Sequence, residues 1–193
     1  MPQSQNRQIA KSPNSSAPLG ILGGGQLARM MALSAHQMGL IPWILSESEG
    51  DPAQQVCPNG MIGKLNDKKT IRDFLKKVDI ATFESEFLDA DLLGAVDTNQ
   101  KIFPSPETMG LLQDRLTQKQ LLDKMKIPTA PWLSVATNKD AHYAFAKFGF
   151  PLVFKKRRFG YDGYGTFIVK TKKDLQHFCT KQLTTKSKSD FIR

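Results

Sequence analysis

The chain has 193 residues and a formal net charge of +9, with 40% hydrophobic and 23% charged residues. This composition is typical of a globular protein with one domain and part of a second, and it excludes collagen-like and disordered classes. No apolar run reaches the ~18–20 residues of a membrane span, and the first 18 residues, which we expect to be a disordered leader, lack the apolar core of a signal peptide. Cys57 and Cys179 fit no metal-ligand spacing. We therefore expect a cytoplasmic protein with no membrane partner.

Positive charge is concentrated towards the C-terminal end. Residues 151–193 contain 11 Lys and Arg against 3 Asp and Glu, a net charge of +8, whereas residues 1–150 carry +1. Such a segment is typical of contact with a nucleotide, a nucleic acid or a membrane surface. It is equally consistent with a chain whose acidic counterpart lies beyond residue 193.

The first half of the chain alternates predicted strands and helices. Apolar runs indicate strands over 19–22, 40–45, 79–83 and 102–103. Periodic spacing indicates helices over 26–38 and 68–77, the first of them ended by Gly39. Pro42 suits an edge strand or a strand start. This alternation predicts an α/β domain with a mostly parallel sheet.

The second half predicts a smaller domain that follows a helical stretch. Helices are expected over 107–126, over 138–148 with Asn138 as the N-cap and Gly149 as the stop, and from a Thr171 cap to about Cys179. Strands are expected over 131–135, 152–155 and 166–169. Residues 180–193 are rich in Lys, Ser and Thr, and we expect them to be frayed.

The first glycine-rich turn follows the first predicted strand. Gly23-x-Gly25-x-x-Ala28 fits the dinucleotide fingerprint in its G/A form, and Glu47 is a candidate ribose-binding acid. The N-terminus of the following helix would offer N–H groups to a phosphate. The pattern leaves three interpretations: an NAD(P)-dependent oxidoreductase that uses the Gly23–Gly25 turn, a protein with another phosphate-bearing ligand, or a tight turn without a ligand.

The second glycine-rich segment, residues 155–165, lies between two predicted strands. A hairpin with a glycine tip can fold over a triphosphate, with its backbone N–H groups facing the phosphate oxygens. Lys155 on the leading strand would neutralise phosphate charge. The alternative is an exposed basic hairpin, either without a ligand or in a non-catalytic nucleic-acid-binding protein that contacts the sugar–phosphate backbone.

Four motifs occur in a distinctive order over residues 19–180. They are Gly23-Gly24-Gly25-Gln26-Leu27, Asp114-Arg115-Leu116-Thr117-Gln118-Lys119, Ile127-Pro128-Thr129-Ala130-Pro131 and Lys155 to Gly165. Together they resemble N5-carboxyaminoimidazole ribonucleotide synthetase, the ATP-grasp ligase of purine biosynthesis. The resemblance implies a Rossmann-like pre-ATP-grasp α/β domain with a mostly parallel sheet over 19–113, a helical connector over 114–130 and an incomplete ATP-grasp lid domain over 131–193.

The same resemblance implies an activity and its ligands. The family carboxylates 5-aminoimidazole ribonucleotide with bicarbonate, which MgATP activates as carboxyphosphate. Arg115 and Lys155 match cations that contact ATP. The implied lid over the ATP phosphates comprises Gly160, Tyr161, Asp162, Gly163, Tyr164, Gly165 and Thr166. The implied ribonucleotide-facing residues are Gly24, Gly25, Gln26 and Glu84. A family-like homodimer is compatible with this interpretation, and no specific nucleic-acid partner is expected.

Several positions depart from the family pattern. Tyr164 replaces a lid cation, Thr166 replaces Gln, and Phe159 and Ala28 stand where Gly is common. Loss of the cation would weaken ATP binding by about 1.5–3 kcal/mol, the contribution of a charged hydrogen bond, unless Arg157 and Arg158 compensate. After the lid the chain offers Asp174 and Asp190, which form no metal pattern. We therefore expect the Mg²⁺ ligands and catalytic residues beyond residue 193, and no ligase activity from these 193 residues alone.

Overall fold

A computed structural model describes residues 18–160, 162–183 and 191–192. It divides into two compact units, Met1–Pro106 and Glu107–Arg193. Residues 1–17 of the expected leader lie outside the described residues, and the first strand begins at Pro18.

The N-terminal unit alternates strands and helices as the sequence predicts. Its described elements are β1 Pro18–Leu22, α1 Gln26–Gln37, β2 Ile41–Ser46, β3 Gly60–Ile62, α2 Lys68–Leu75, β4 Ile80–Phe83 and α3 Ala90–Val96. The described strands pair in the order β3-β2-β1-β4, and every pair is parallel. The predicted α/β class with a parallel sheet is therefore confirmed.

Helices pack on both faces of this sheet, and the side chains of β1 alternate between those faces. Ile21 is fully buried in a cluster with Ala28 and Ala32 of α1. Its neighbour Gly20 faces the other side, where an added Cβ would lie 2.9 Å from the ring of Phe74 in α2. The absence of a side chain at Gly20 therefore lets α2 approach the sheet closely.

Pro42 lies on an interior strand of the sheet, so the prediction of an edge strand is wrong. It is the second residue of β2, so the alternative prediction of a position near a strand start is correct. The N–H of Ile44 donates to the carbonyl of Asn59, which shows that even-numbered residues of β2 direct their amides towards β3. Pairing with β3 begins only at Ile44. The amide hydrogen that Pro42 lacks is therefore not needed for a ladder bond.

Two short elements of this unit have no clear sequence signal. Strand β3 has three residues, one of them Gly60, and helix α3 has seven residues with Gly94 among them. Conversely, the strand predicted over 102–103 is reduced to one parallel bridge between Ile102 and Ala81. Elements of this length depend on their tertiary neighbours more than on local pattern.

The C-terminal unit is an antiparallel sheet with helices. Its elements are α4 Pro106–Gln113, which starts at the boundary residue, α5 Arg115–Lys124, β5 Ser134–Val135, α6 Asn138–Phe148, β6 Leu152–Lys156, β7 Thr166–Val169, α7 Lys172–Gln182 and β8 Phe191–Ile192. The described strands pair in the order β5-β8-β6-β7.

The core of this unit lies between α6, α7 and one face of the sheet. Phe154 of β6 stacks on Phe178 of α7 with 4.2 Å between ring centroids, and both rings are buried. Full burial of a side chain of this size stabilises the fold by about 1.5–3 kcal/mol. Since side chains alternate along β6, Val153 and Lys155 point to the opposite, exposed face.

Three predictions for this unit need correction. The single helix expected over 107–126 is broken at Asp114, whose carboxylate caps α5 by accepting from the Leu116 amide. Helix α6 is capped by Thr137 rather than Asn138, because Thr137 and Asp140 form a reciprocal capping box. The prediction that residues 180–193 are frayed is wrong at the start and near the end of that range, because α7 continues to Gln182 and β8 pairs with β6. Residues 184–190 lie outside the described residues.

Candidate functional site

The first glycine loop is closed by a carboxylate from its own chain. Glu84 directly follows β4, and its Oε1 accepts a 2.8 Å hydrogen bond from the Gly25 amide. Its Oε2 accepts a 2.8 Å bond from the Ala28 amide. The Gly25 amide is that of the α1 N-cap and the Ala28 amide lies in the first turn, where Gly25 has no side chain to accept it. Glu84 therefore takes the place that an anionic ligand would occupy at this helix N-terminus.

Contacts from neighbouring elements require the glycines of this loop. An added Cβ at Gly23, where φ is +115°, would lie 2.5 Å from Cγ of Glu84. At Gly24 it would lie 2.4 Å from Cβ of Ser46. The loop is thus packed against side chains at the ends of β2 and β4, so its glycines have a structural cause that does not involve a dinucleotide.

The candidate ribose-binding acid is also engaged within the chain. Oε1 of Glu47 accepts from the Leu65 amide at 3.0 Å. Glu84 accepts from the amides at the start of α1, and Glu47 accepts from an amide of a neighbouring loop. Both carboxylates are therefore engaged within the chain, and the interpretation of this region as a dinucleotide site is not supported.

Sequence reasoning missed the polar neighbours of this loop. Ser46 is fully buried and accepts a 2.8 Å hydrogen bond from Nε2 of Gln54, while Oδ2 of Asp51 lies 2.6 Å from the Cβ that Gly24 lacks. Gln26, at the start of α1, is exposed. A signal was available in Asp51-Pro52, a turn-forming pair in the loop that follows the buried strand β2.

The second glycine segment is the predicted hairpin between two strands. Lys155 of β6 pairs with Thr166 of β7, and the Lys156 amide donates to the Gly165 carbonyl at 2.8 Å. Gly163 and Gly165 adopt φ values of +82° and +78°. Phe159, where the family commonly has Gly, is also left-handed at φ +59°, which costs about 1–2 kcal/mol for a residue with a side chain.

The base of this hairpin is tied to the start of α5 by Asp114, which is only 4% exposed. Arg157 donates to both carboxylate oxygens, from Nε at 2.9 Å and from Nη2 at 2.6 Å. Arg158 donates from Nε at 3.3 Å. Burial disfavours the charged form of Asp114, but the hydrogen bonds from Arg157, the Leu116 amide and Arg158 outweigh it and hold the pKa of this carboxyl below its usual range.

A groove of about 480 Å³ lies beside the hairpin. It brings the two predicted cations together with polar and apolar side chains, and its lining is Arg115, Gln118, Lys119, Ala130, Pro131, Pro151, Val153 and Lys155. Nζ of Lys119 donates to the Thr129 hydroxyl. Cations beside an apolar wall suit a ligand with an anionic and an apolar part.

The hairpin tip adjoins one of these cations. An added Cβ at Gly160 would lie 3.8 Å from Nη2 of Arg115 and 3.0 Å from the carbonyl of Tyr164. Asp162, Gly163 and Tyr164 are exposed, and Tyr164 reaches 72%. Tyr161 lies outside the described residues.

The predicted site residues therefore form two groups in two separate units. Gly24, Gly25 and Glu84 come together in the N-terminal unit, and Arg115, Lys155 and the described lid residues come together in the C-terminal one.

Candidate ligands for a metal ion are not clustered among the residues that the structure describes. Over residues 18–160, 162–183 and 191–192, no group of three or more His, Cys, Asp or Glu could hold a metal ion. Asp174 accepts from the amides of Lys170 and Thr171 at 3.0 Å as part of the α7 cap, and Asp190 lies outside the description. Within the same described ranges, no helix is long and apolar enough to cross a membrane.

The fold and the groove indicate a class of protein, and comparison with known families identifies the family. Residues 17–113 match the ribonucleotide synthetase preATP-grasp domain, and residues 120–191 match the ATP-grasp domain. The chain belongs to the ATP-grasp ribonucleotide synthetases, a family of enzymes, and corresponds to the N-terminal portion of N5-carboxyaminoimidazole ribonucleotide synthetase. The family resemblance drawn from the four motifs is thereby confirmed.

Named relatives agree with this assignment. A phosphoribosylaminoimidazole carboxylase of Ogataea methanolica is 41% identical over 162 residues, covering 81% of this chain and 30% of that protein. An N5-carboxyaminoimidazole ribonucleotide synthase of Staphylococcus aureus (strain MRSA252) is 36% identical over 160 residues, covering 83% of this chain and 43% of the relative.

Solved structures show the same similarity. The N5-carboxyaminoimidazole synthetase of Staphylococcus aureus complexed with ADP superposes with a TM-score of 0.83 at 35% identity, covering 91% of this chain and 46% of that one. The Aspergillus clavatus N5-carboxyaminoimidazole synthase in complex with ADP and 5-aminoimidazole ribonucleotide gives 0.79 at 26% identity, covering 92% and 46%. The chain thus spans less than half the length of these relatives.

Proposed function

We propose that this chain provides the nucleotide lid and a ribonucleotide-facing loop for the ATP-dependent carboxylation of 5-aminoimidazole ribonucleotide with bicarbonate in purine biosynthesis. The observation that carries the proposal is the groove that Arg115 and Lys155 share beside a glycine hairpin. A structural relative that holds ADP and 5-aminoimidazole ribonucleotide supports the choice of ligands.

The proposed role of the C-terminal unit is to hold the ATP phosphates. Phosphoryl transfer depends mainly on positioning and on neutralising negative charge, so cations and backbone amides are the parts that it needs. Lys155 supplies a point charge from β6, and Arg115 supplies a planar guanidinium from the first residue of α5. Backbone N–H groups at the hairpin tip would contribute as well, but not that of Thr166, which donates to the Gly163 carbonyl at 3.1 Å. Val153, Ala130 and Pro131 offer an apolar wall to the remainder of the nucleotide.

In the N-terminal unit, the proposed role of Gly24, Gly25, Gln26 and Glu84 is to face the ribonucleotide. The α1 amides of Gly25 and Ala28 are already satisfied by Glu84. A phosphate at the same position would meet the negative charge of that carboxylate. We therefore expect this loop to contact hydroxyl or amine donors of the ribonucleotide rather than its phosphate.

The basic run 155–158 gives little support to a nucleic-acid-binding function. Arg157 and Arg158 both donate to Asp114, so two of its four cations are paired within the protein. Their pairing also limits how fully they can replace the lid cation that is absent at Tyr164.

Four further expectations belong to this proposal. Mg²⁺ would accompany ATP, with ligands outside the described residues. The reaction would take place in the cytoplasm, and a homodimer would be family-like. The 193 residues alone are expected not to complete the carboxylation, and ATP hydrolysis by them that depends on both 5-aminoimidazole ribonucleotide and bicarbonate would contradict this.

The test of the proposal is calorimetric titration of the purified 193-residue chain with ATP, in the presence of Mg²⁺, and separately with NADH. We expect ATP to bind and Lys155→Ala to weaken it about tenfold or more, because the removed cation lies in the groove. Lys170→Ala, which removes an exposed cation just after β7, is the matched control and should bind ATP like the wild type. A wild-type chain that binds NADH but not ATP would overturn the proposal.

A further inference from the structure

We propose that Asp114 is a positioning residue of the nucleotide site: it anchors the base of the glycine hairpin to the start of α5 and so sets Arg115 beside the hairpin tip. This inference rests on the proposed ATP-binding function, because it assigns a role within that same site. Asp114 itself lies one residue before the groove-lining Arg115 and does not line the groove.

Several structural connections meet at one buried carboxylate, that of Asp114. Oδ1 of Asp114 accepts from the Leu116 amide and from Nε of Arg157, both at 2.9 Å. Oδ2 accepts from Nη2 of Arg157 and Nε of Arg158. A helix cap needs only the first of these bonds, as Asp89 of α3 illustrates with its single bond to the Leu92 amide. The arginine bonds therefore serve something other than capping.

A backbone hydrogen bond adds a further connection at the same place. The Arg115 amide donates to the Arg157 carbonyl at 3.0 Å. Residues 114 and 115 are thus joined to residue 157 by backbone and side-chain bonds together, although Asp114 and Arg157 are 43 positions apart in the chain. The planar fork of Arg157 makes two parallel bonds, an arrangement that fixes orientation as well as distance.

The side chain of Arg115 lies close to the hairpin tip. Its Nη2 lies 3.8 Å from the position of a Cβ at Gly160. Because α5 starts at Arg115, rotation of that helix end relative to the hairpin would move this guanidinium away from the tip. A displacement of about 1 Å from the productive geometry is sufficient to reduce activity by orders of magnitude.

The two arginines differ in how firmly Asp114 holds them. Arg157 is 26% exposed and makes two bonds with the carboxylate, whereas Arg158 is 51% exposed and makes one bond at 3.3 Å. We therefore assign the anchoring role to Arg157. Arg158, held by one longer bond, contributes less to the anchor.

The test compares Asp114→Asn with Asp114→Ala in the 193-residue chain. Asparagine keeps an oxygen that can cap α5 but carries no charge for the arginines, and its amide hydrogens oppose theirs. If Asp114 anchors the hairpin, Asp114→Asn should weaken ATP binding, with Mg²⁺ present, about tenfold, nearly as much as Asp114→Ala. It should also speed hydrogen exchange of residues 156–166 without changing the exchange of residues 18–46.

A matched control separates positioning from general stability. Asp140 accepts from the amides of Ala136 and Thr137 in the α6 cap and pairs with no arginine in the described structure. Asp140→Ala should lower the thermal midpoint while leaving the ATP dissociation constant within twofold of the wild type. If the Asp114 variants do not fold, Arg157→Lys replaces them: it keeps the charge, loses the fork, and should weaken ATP binding about fivefold.

Two results would overturn the inference. One is an Asp114→Asn chain that binds ATP within twofold of the wild type and keeps slow exchange in the hairpin. The other is an Asp140→Ala chain that loses ATP affinity as much as the Asp114 variants do. A wild-type chain that does not bind ATP would instead contradict the proposed function, and the hairpin exchange rates would still decide the role of Asp114.

Discussion

The two glycine-rich segments of this chain look alike in sequence and differ in what is held against them. The first segment follows β1 and is packed against Ser46 and Glu84, whose carboxylate satisfies the amides at the start of α1. The second segment joins β6 to β7 and leaves its tip exposed beside Arg115 and Lys155. Glycine therefore has two separate uses here: close packing in the first loop and an open hairpin in the second.

The difference teaches that a glycine pattern indicates a phosphate site only when its amides are available. In the first loop an internal anion occupies the helix N-terminus, so the dinucleotide fingerprint is present without the free amides on which it depends. In the second, the nearby cations provide the charge complementarity that the first loop lacks.

The largest effect that we predict is on stability, from alanine at two left-handed glycines. Gly23→Ala should cost about 3–4 kcal/mol of unfolding free energy, because the added Cβ lies 2.5 Å from Glu84 in addition to the strain at φ +115°. Gly163→Ala, at φ +82° with nothing within 4 Å of the added Cβ, should cost only about 1 kcal/mol.

Urea unfolding can resolve this pair because each unit has its own tryptophan, Trp43 in the first and Trp132 in the second. Gly23→Ala should be measured in a Trp132→Phe background and Gly163→Ala in a Trp43→Phe background. Equal losses of unfolding free energy for Gly23→Ala and Gly163→Ala would mean that the first loop is not packed more tightly than the hairpin.

A smaller effect is predicted on ligand affinity at the lid. Tyr164→Lys restores a cation at a position that is 72% exposed, and it should tighten ATP binding three- to tenfold at low salt. Tyr164→Phe is the control, since it removes only the hydroxyl and should leave affinity nearly unchanged. Calorimetric titration at two salt concentrations would measure both variants. Equal affinity for the Lys and Phe variants would remove this position from the phosphate site.

The smallest predicted effect is on the pH dependence of stability at the base of the hairpin. The pKa of Asp114 is lower in the folded chain than its unfolded value of about 3.9, because the hydrogen bonds from Arg157, the Leu116 amide and Arg158 outweigh its burial. Its stabilisation is therefore fully present above that value and is lost as the pH falls through the folded pKa. The stability difference between wild type and Asp114→Asn should be constant from pH 7 to about 5 and shrink below about 4. A stability difference between wild type and Asp114→Asn that stays constant down to pH 3 would contradict this role of the Asp114 charge.

Sequence patterns predicted local features of the fold well and long-range contacts poorly. The strands of the hairpin, the Thr171 cap and the stop at Gly39 follow from residues within a few positions of one another. The family resemblance predicts that Arg115 and Lys155 share a site, and in the structure both line one groove.

The contacts that distinguish the two glycine-rich segments join residues that are far apart in sequence. Glu84 reaches Gly25 across 59 positions, and Arg157 reaches Asp114 across 43. Neither pairing leaves a periodic or spaced signal in the chain. The break between α4 and α5 falls at Asp114, a residue type favoured at N-caps, but its burial depends on the distant arginines, which the local pattern does not show.

The most direct test of the central claim is to map ATP onto the chain by hydrogen exchange. Titration of the 193-residue chain with ATP and Mg²⁺ should slow exchange in residues 115–119 and 155–166, and leave residues 23–28 unchanged because Glu84 already satisfies the amides of Gly25 and Ala28. NADH should protect neither region. Protection of residues 23–28 by either nucleotide, without protection of the hairpin, would contradict the assignment of the nucleotide to the second glycine segment.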